Sequence, residues 1–510
     1  MSLHGWILRS LATRPFREAV VDDFRRWRAV ELLAGAAHVA GALSRRSASP
    51  TVGVMLPTSG LFPVAALGAW WAGKVVVPVN YLLKEAEMQY IVAHSGVDVV
   101  VTVGPMLEHA PTPRGAQLLR LDELDLQQPP EPLPVARKSS REVAALLYTS
   151  GTSGRPKGVM LTHGNLTANI RQCQEHVEFT RRDSLLGVLP QFHSFGFTVL
   201  TMLPLALQLR VVFATRFQPA RIVELIQRER PTVFVAIPSM YNALLAVKKA
   251  SAKDLASLRL CVSGGEPLPR DVAERFERRF SCVISEGYGL TETAPVTNLC
   301  RPSDQAPGSV GPPLPCVQER IADPETGRTL PANEEGEVRI KGPNVMRGYF
   351  HREQETREAF DERGFFRTGD MGRFDERGNL YITGRIKEML IIGGENVFPR
   401  EIEEVLNRHP AVVASGVVGM ADAMRGEVPV AFVELGAETT EAELRAWCKE
   451  RLAGYKVPRE IIVVDELPRS PTGKILRRAL QEALPQRLAQ RQRERRVEHC
   501  PGEDSNLHPV

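Results

Sequence analysis

The chain has 510 residues, of which 43% are hydrophobic and 24% charged. That is ordinary globular usage, and enough chain for one large and one small domain. Its 64 basic and 60 acidic side chains leave a formal charge of +4, a near-balance that excludes a dedicated nucleic-acid surface, which needs a concentrated basic face. The seven cysteines are odd in number, with none at metal-ligand spacing, which predicts reduced thiols in a cytoplasmic protein.

In chain order, residues 1–14 lack the charged-then-apolar pattern of a secretion signal. Apolar residues recur at helical spacing over 30–43, a β-rich run follows at 51–56, then a helix at 61–71 and a strand at 75–77 stopped by Pro78. Such alternation predicts a parallel sheet covered by helices. Residues 111–138 are proline-rich and read as a surface connection. A clean apolar strand at 142–148 opens a second alternating series, with strands or helices at 184–189, 211–214, 222–228, 233–237, 258–262 and 283–285.

After residue 300 the segments become charged and glycine-bounded, as at 336–341 and 379–383. These predict antiparallel strands and a small β-barrel-like part. A helix at 399–408, strands at 412–418 and 428–435 and a helix at 441–452 then predict a compact α+β unit of its own. No run reaches the roughly 20 uninterrupted apolar residues of a membrane span: 61–73 is short and ends at Lys74, and 195–214 carries Pro204, Gln208 and Arg210. The sequence from 485 to 510 is polar, then aperiodic, which predicts a disordered tail.

The strongest chemical signal is Tyr148-Thr149-Ser150-Gly151-Thr152-Ser153-Gly154-Arg155-Pro156-Lys157-Gly158. It follows an apolar strand and packs hydroxyls, glycines and a lysine into one loop. Glycine lets backbone N–H groups turn toward an anion, hydroxyls add donors, and Lys157 adds charge. The physical reading is a polyphosphate cradle, and Gly158 after the lysine separates it from the Walker pattern. A flexible surface loop is the plainer reading, and the preceding strand and the lysine weigh against it.

This loop resembles the signature of the acyl-adenylate-forming superfamily, and further matches follow in that family's order. Pro190-Gln191-Phe192-His193-Ser194-Phe195-Gly196 is similar to its acid-pocket motif. Ser263-Gly264-Gly265-Glu266-Pro267 and Gly287-Tyr288-Gly289-Leu290-Thr291-Glu292-Thr293 are similar to its adenine and acyl-site loops. Phe366-Arg367-Thr368-Gly369-Asp370 resembles its ribose motif, Gly384-Arg385-Ile386-Lys387-Glu388 its hinge, and Pro471-Thr472-Gly473-Lys474 its mobile lysine loop. The resemblance spans residues 12 to 482.

It implies an α/β fold in three parts. Residues 1–386 would be a large ATP- and acyl-binding domain of parallel and mixed sheets covered by helices. Residues 387–484 would be a small mobile α+β domain hinged at Lys387, and 485–510 the tail. It also implies roles that make chemical sense, because a carboxylate attacking the α-phosphate of ATP brings two anions together and needs positioning and charge neutralisation. Thr149, Ser150, Gly151, Thr152, Ser153, Gly154 and Lys157 would hold the phosphates. Glu292, with Thr149, would hold Mg²⁺, a hard cation that takes carboxylate and phosphate oxygen. Gly265, Glu266, Pro267, Gly287, Tyr288, Gly289, Leu290 and Thr291 would form the adenine site, with Tyr288 stacked on the base. Asp370, which a turn after Thr368-Gly369 would expose, would accept the ribose hydroxyls, and Arg385 would contact ribose or α-phosphate. His193 would orient the acid's carboxylate or gate its pocket. Lys474, on an exposed turn tip, would neutralise charge during adenylation and then leave. Each of these residues alone has a plain structural reading: solvated carboxylate, core aromatic, surface lysine.

Within the superfamily the resemblance is greatest to fatty acyl-CoA synthetases, with ATP, Mg²⁺ and CoA as the implied reactants. The aromatic stretch 192–197 and residues 236–241 suggest an apolar tunnel for an alkyl chain. The alternatives are an aryl-CoA ligase, an acyl-AMP ligase that loads an acyl carrier protein, and a non-catalytic nucleotide-binding relative. A fatty substrate also leaves room for peripheral membrane contact without a span. Two positions depart from the family's pattern: Phe365 stands where tryptophan is frequent, and Glu266 where small residues are.

Overall fold

The computed structural model describes residues 2–125, 128–149, 155–469 and 473–498, with backbone alone at 492 and 494–498. The chain forms two compact units, Met1–Ile382 and Thr383–Val510. The expected boundary at 386/387 lies just inside the second.

Among the described residues the first unit holds three sheets. One has eight strands in the order Val296–Leu299, Ile284–Gly289, Leu260–Ser263, Val233–Ala236, Ser184–Gly187, Arg210–Phe213, Glu18–Val21 and Arg26–Arg28. Its interior is parallel, and an antiparallel strand closes each edge. A seven-stranded sheet runs Gly348–Tyr349, Lys157–Thr162, Val143–Thr149, Val75–Pro78, Thr51–Val54, Val99–Thr102 and Gln117–Arg120. Its central strands read as apolar runs because both faces are covered; every residue of Thr51–Val54 and Val99–Thr102 is buried. The helix Leu61–Trp71 is apolar all round and buried along its length, as a helix between layers must be. Its Trp70 Nε1–H donates to the Ala144 carbonyl at 2.8 Å, fixing the strand that enters the glycine-rich loop. The antiparallel part expected after residue 300 is a four-stranded sheet in the order Gln318–Ala322, Gly336–Lys341, Phe366–Phe374 and Leu380–Arg385.

The second unit is α+β: a five-stranded sheet centred on Gly426–Leu435, with the helices Pro399–Asn407, Glu441–Lys449 and Arg477–Glu498.

Two expectations differ from the structure. The connection at 111–138 contains the strand Gln117–Arg120, which pairs in parallel with Val99–Thr102; Leu119 is buried there, and that burial compensates for a weak local pattern. The tail expected to be disordered from 485 begins as helix, since Arg477–Glu498 runs through Pro485. Proline removes a backbone hydrogen bond, but Leu484 and Leu488 pack into the second unit's core on one side of the helix. Beyond them the Arg491 guanidinium donates to the Ile461 carbonyl at 2.7 Å and to Glu460 at 3.2 Å. Cys173, Cys261, Cys282, Cys300, Cys316 and Cys448 are free thiols. No described helix is long and apolar enough to cross a membrane.

Candidate functional site

The strand Val143–Thr149 turns back as Lys157–Thr162 in an antiparallel pair that sets Thr149 opposite Lys157. These two mark the ends of the glycine-rich loop; Ser150, Gly151, Thr152, Ser153 and Gly154 lie outside the described residues. Gly158 sits against the Tyr148 ring, and the Tyr148 hydroxyl lies 2.8 Å from His94 Nδ1. The loop's base is therefore packed on both strands.

The short strand Gly348–Tyr349 pairs with the lysine strand, Tyr349 opposite Val159. The Tyr349 ring carries the Lys157 ammonium 4.9 Å above its centroid, and its hydroxyl donates to Glu292 Oε1 at 3.0 Å. Lys157 Nζ also pairs with Glu355 at 2.5 Å, which holds that carboxyl below the usual glutamate range. Glu292 stands on the one-turn helix Thr291–Thr293, and its carbonyl accepts from Met346 N–H at 2.7 Å. Lys157 and Glu292, 135 residues apart in the chain, thus meet through one phenol.

Tyr288 ends a parallel strand of the eight-stranded sheet and donates its hydroxyl to Asp370 Oδ2 at 2.5 Å. Asp370 also departs from the sequence reading. It lies inside the strand Phe366–Phe374 and is 2% exposed, not on an open turn. The reason is local: Thr368 Oγ1 donates to the Val338 carbonyl and accepts from Asp370 N–H, which keeps the chain on the sheet through Gly369.

The loops that follow the strands Ser184–Gly187, Leu260–Ser263 and Ile284–Gly289 meet at the carboxyl ends of one sheet, where open parallel sheets bind ligands. Thr291 Oγ1 donates to Ser194 Oγ at 3.2 Å, joining the 287–293 loop to the 190–196 loop. A Cβ on Gly264 would lie 3.1 Å from the Phe195 ring, and one on Gly265 would face Ile237 at 3.8 Å. Leu268 N–H, one residue past Pro267, donates to the buried Glu286 carboxylate at 3.0 Å. Two glycines are demanded by space: a Cβ on Gly196 would fall 2.0 Å from the Pro190 carbonyl, and one on Gly289 1.9 Å from the Pro295 carbonyl. His193 caps the helix Ser194–Phe197, its Nδ1 accepting from Phe195 N–H at 3.4 Å. An accepting Nδ1 places the ring proton on Nε2. Leu290 N–H bonds Thr293 Oγ1 at 3.0 Å. Glu266 is half-buried beside these loops. Phe365, in place of the frequent tryptophan, lies between two cations, Arg320 at 5.2 Å and Lys341 at 5.5 Å.

Arg385, Lys387 and Lys474 belong to the second unit. Arg385 ends a strand, and Lys387 sits in the one-turn helix Ile386–Glu388. That turn is braced: Arg477 donates to Glu388 at 2.6 Å and to Glu403 at 2.5 Å. Lys474 stands between the bridged residues Arg469 and Ile475, and it is half-buried, not on the fully exposed tip expected. Arg469 donates to the Gly473 carbonyl at 3.3 Å. Pro471 and Thr472 lie outside the described residues.

Sequence reasoning did not find Tyr349 or Glu355. Neither carries a motif of its own; Tyr349 is placed by strand pairing and Glu355 by the helix Glu353–Glu358 that follows it.

Known proteins are similar to this chain in sequence and fold. The model of the AMP-binding enzyme family matches residues 7–350, and that of the AMP-binding enzyme C-terminal domain matches residues 401–474. The chain is 34% identical over 477 residues to a long-chain-fatty-acid–CoA ligase of Bacillus subtilis (strain 168), covering 84% of this chain and 85% of the relative. It is 34% identical over 486 residues to a feruloyl-CoA synthase of an Amycolatopsis species, covering 93% and 97%. The solved structure of o-succinylbenzoate coenzyme A synthetase from Bacillus subtilis, in complex with ATP and magnesium ion, superposes with a TM-score of 0.83 at 31% identity, covering 93% and 99%. This chain belongs to the AMP-binding enzyme family.

Proposed function

We propose that this protein is an ATP-dependent acid–CoA ligase acting on a fatty acid. In the first step the acid's carboxylate attacks the α-phosphate of ATP, forming acyl-adenylate and releasing pyrophosphate. In the second the CoA thiol attacks the acyl carbon, forming the thioester and releasing AMP. The observation that carries the reading is the meeting of Lys157 and Glu292 on Tyr349, with, in the same unit, a buried Asp370 bonded by Tyr288. That is a cation for phosphate, a carboxylate for a metal and a carboxylate for a polyol, together in one unit.

In this reading Thr149, Ser150, Thr152, Ser153 and Lys157 bind the polyphosphate. Gly265 to Pro267 and Gly287 to Thr291 surround the adenine, Tyr288 lies on its face, and Asp370 accepts the ribose hydroxyls. Arg385 contacts ribose or α-phosphate, His193 orients the acid, and Lys474 meets the charge that develops in adenylation. Magnesium fits the donors present. Among the described residues no three acidic, histidine or cysteine side chains gather as a metal cage. Mg²⁺ at nucleotide sites takes only one or two protein carboxylates and completes its shell from phosphate and water. Glu292, with Thr149, would hold the ion, which would neutralise phosphate charge.

Phe195 and Ile237 against the Gly264–Gly265 turn support an apolar acid. An aryl acid is the second reading, favoured by the feruloyl-CoA synthase, which matches at the same 34% identity over more of the chain. The test is to incubate the purified protein with ATP, Mg²⁺ and acids from acetate to long-chain fatty acids, benzoates and cinnamates, with and without CoA. Fatty-acid-dependent pyrophosphate with CoA-dependent acyl-CoA supports the first reading. The same products with aryl acids alone replace it with the second. Pyrophosphate without acyl-CoA makes an acyl carrier protein the acceptor, and no pyrophosphate with any acid overturns the ligase reading.

A further inference from the structure

The proposed chemistry uses Lys157 and Glu292 but gives no role to the residue that touches both. Tyr349 is held from three sides. Its strand pairs with the lysine strand, and its N–H donates to Thr356 Oγ1 at 2.9 Å. The backbone at Gly348 has φ +146, with the Thr356 methyl 2.6 Å from where a Cβ would stand, so glycine permits the close approach that seats the ring. From that seat the phenol donates to Glu292 Oε1 at 3.0 Å, and the ring face receives Lys157 at 4.9 Å.

We propose that Tyr349 is a positioning residue that holds Glu292 and Lys157 as one unit for the Mg²⁺–polyphosphate chemistry. The proposal rests on the ligase reading above. A carboxylate that binds a hard cation must present its oxygens in a fixed direction, and a donor on one oxygen orients the other. A lysine is a flexible point charge; the ring's negative face confines it while leaving its N–H groups directed to anions such as Glu355, 2.5 Å away. One side chain therefore sets the separation between metal carboxylate and phosphate cation.

The test uses the full chain, Tyr349→Phe and Tyr349→Leu, and α,β-methylene ATP as the probe, with its binding measured by calorimetry across a Mg²⁺ series. Tyr349→Phe keeps the ring and loses the donor. Its Mg²⁺ midpoint for nucleotide binding should rise about tenfold, the scale of one hydrogen bond to a charged group, while affinity at saturating Mg²⁺ and the melting temperature without ligand stay near wild type. Tyr349→Leu should also weaken binding at saturating Mg²⁺ several-fold. A folded Tyr349→Phe with the wild-type Mg²⁺ midpoint overturns the proposal. So does a loss of binding equal at every Mg²⁺ concentration together with a lowered melting temperature, which is the mark of a merely structural residue. If wild type releases acid-dependent pyrophosphate and Tyr349→Phe matches its Mg²⁺ midpoint, this proposal alone fails. If wild type binds no nucleotide at any Mg²⁺ concentration, the ligase reading fails with it.

Discussion

The two units treat polar groups differently. In the first, His4, Asp22, His163, Glu286, Asn298, Glu337 and Asp370 are all at most 9% exposed. In the second, Ser415 is the one polar side chain buried to that degree among the described residues. The first unit's buried groups are mostly paired before any ligand arrives, as Asp370 is by Tyr288 and Asp22 by Trp27 Nε1–H and Gly60 N–H. The second unit has an apolar core, and its Arg477–Glu388–Glu403 bridge is half-buried, with side chains 12% to 29% exposed. Desolvated polar groups cost energy unless bonded, but once bonded they cannot swing. The first unit is thus suited to hold a ligand's charges in fixed places.

The largest expected effect separates the units by pH. His163 is 1% exposed and lies against His4, ring centroids 5.0 Å apart; burial, then the neighbouring His4, pushes its pKa down to about 3 from 6.5. The unfolded chain takes up that proton near pH 6.5, whereas the folded one refuses it until about pH 3. Below 6.5 the unfolded state therefore binds more protons, and stability falls as pH falls through that window. The full loss is about 5 kcal/mol at about 1.4 kcal/mol per unit. Calorimetric melting from neutral pH down to about pH 4 should show the first unit's transition sliding, and His163→Phe should flatten the slope. Equal slopes in the two proteins would break the comparison.

Next in size, Lys474→Ala should cut acid-dependent pyrophosphate release by roughly 100- to 1000-fold, the scale of removing one group that meets developing charge. Thioester formation from supplied acyl-adenylate should change far less. Equal losses in both half-reactions would remove the lysine's special role. Lys387→Pro probes the hinge expected from the sequence: adenylation should survive and thioester formation should slow, read by single-turnover assays of each half-reaction. Unchanged steady-state turnover would refute it. Smallest is Tyr288→Phe, which keeps the ring and loses the bond to Asp370. The KM for ATP should rise roughly five- to tenfold with kcat little altered; a larger fall in kcat would mean that the pair does more than seat the nucleotide.

Much of this was legible in the chain. The apolar runs that became Thr51–Val54 and Leu61–Trp71 carry their own period and length, and so does the strand that enters the glycine-rich loop. The motif order identified the family and named Lys157, Glu292, Asp370 and Lys474. What the chain hid were facts of partnership. Asp370 looks like a turn residue because Thr368-Gly369 precedes it, yet a strand 30 residues upstream in the sequence accepts its Thr368. The residues after 485 look disordered because their pattern is polar, yet Leu488 and Arg491 find the second unit's sheet.

By itself, then, the sequence determined the class of fold and the inventory of reactive groups, because period, glycine and charge act over a few residues. Only the tertiary structure decided which of those groups meet. Tyr349 reaches Glu292 across 57 residues and Tyr288 reaches Asp370 across 82, and both contacts depend on how sheets align. Strand register is set by the burial of whole faces, a property that no local stretch of the chain carries.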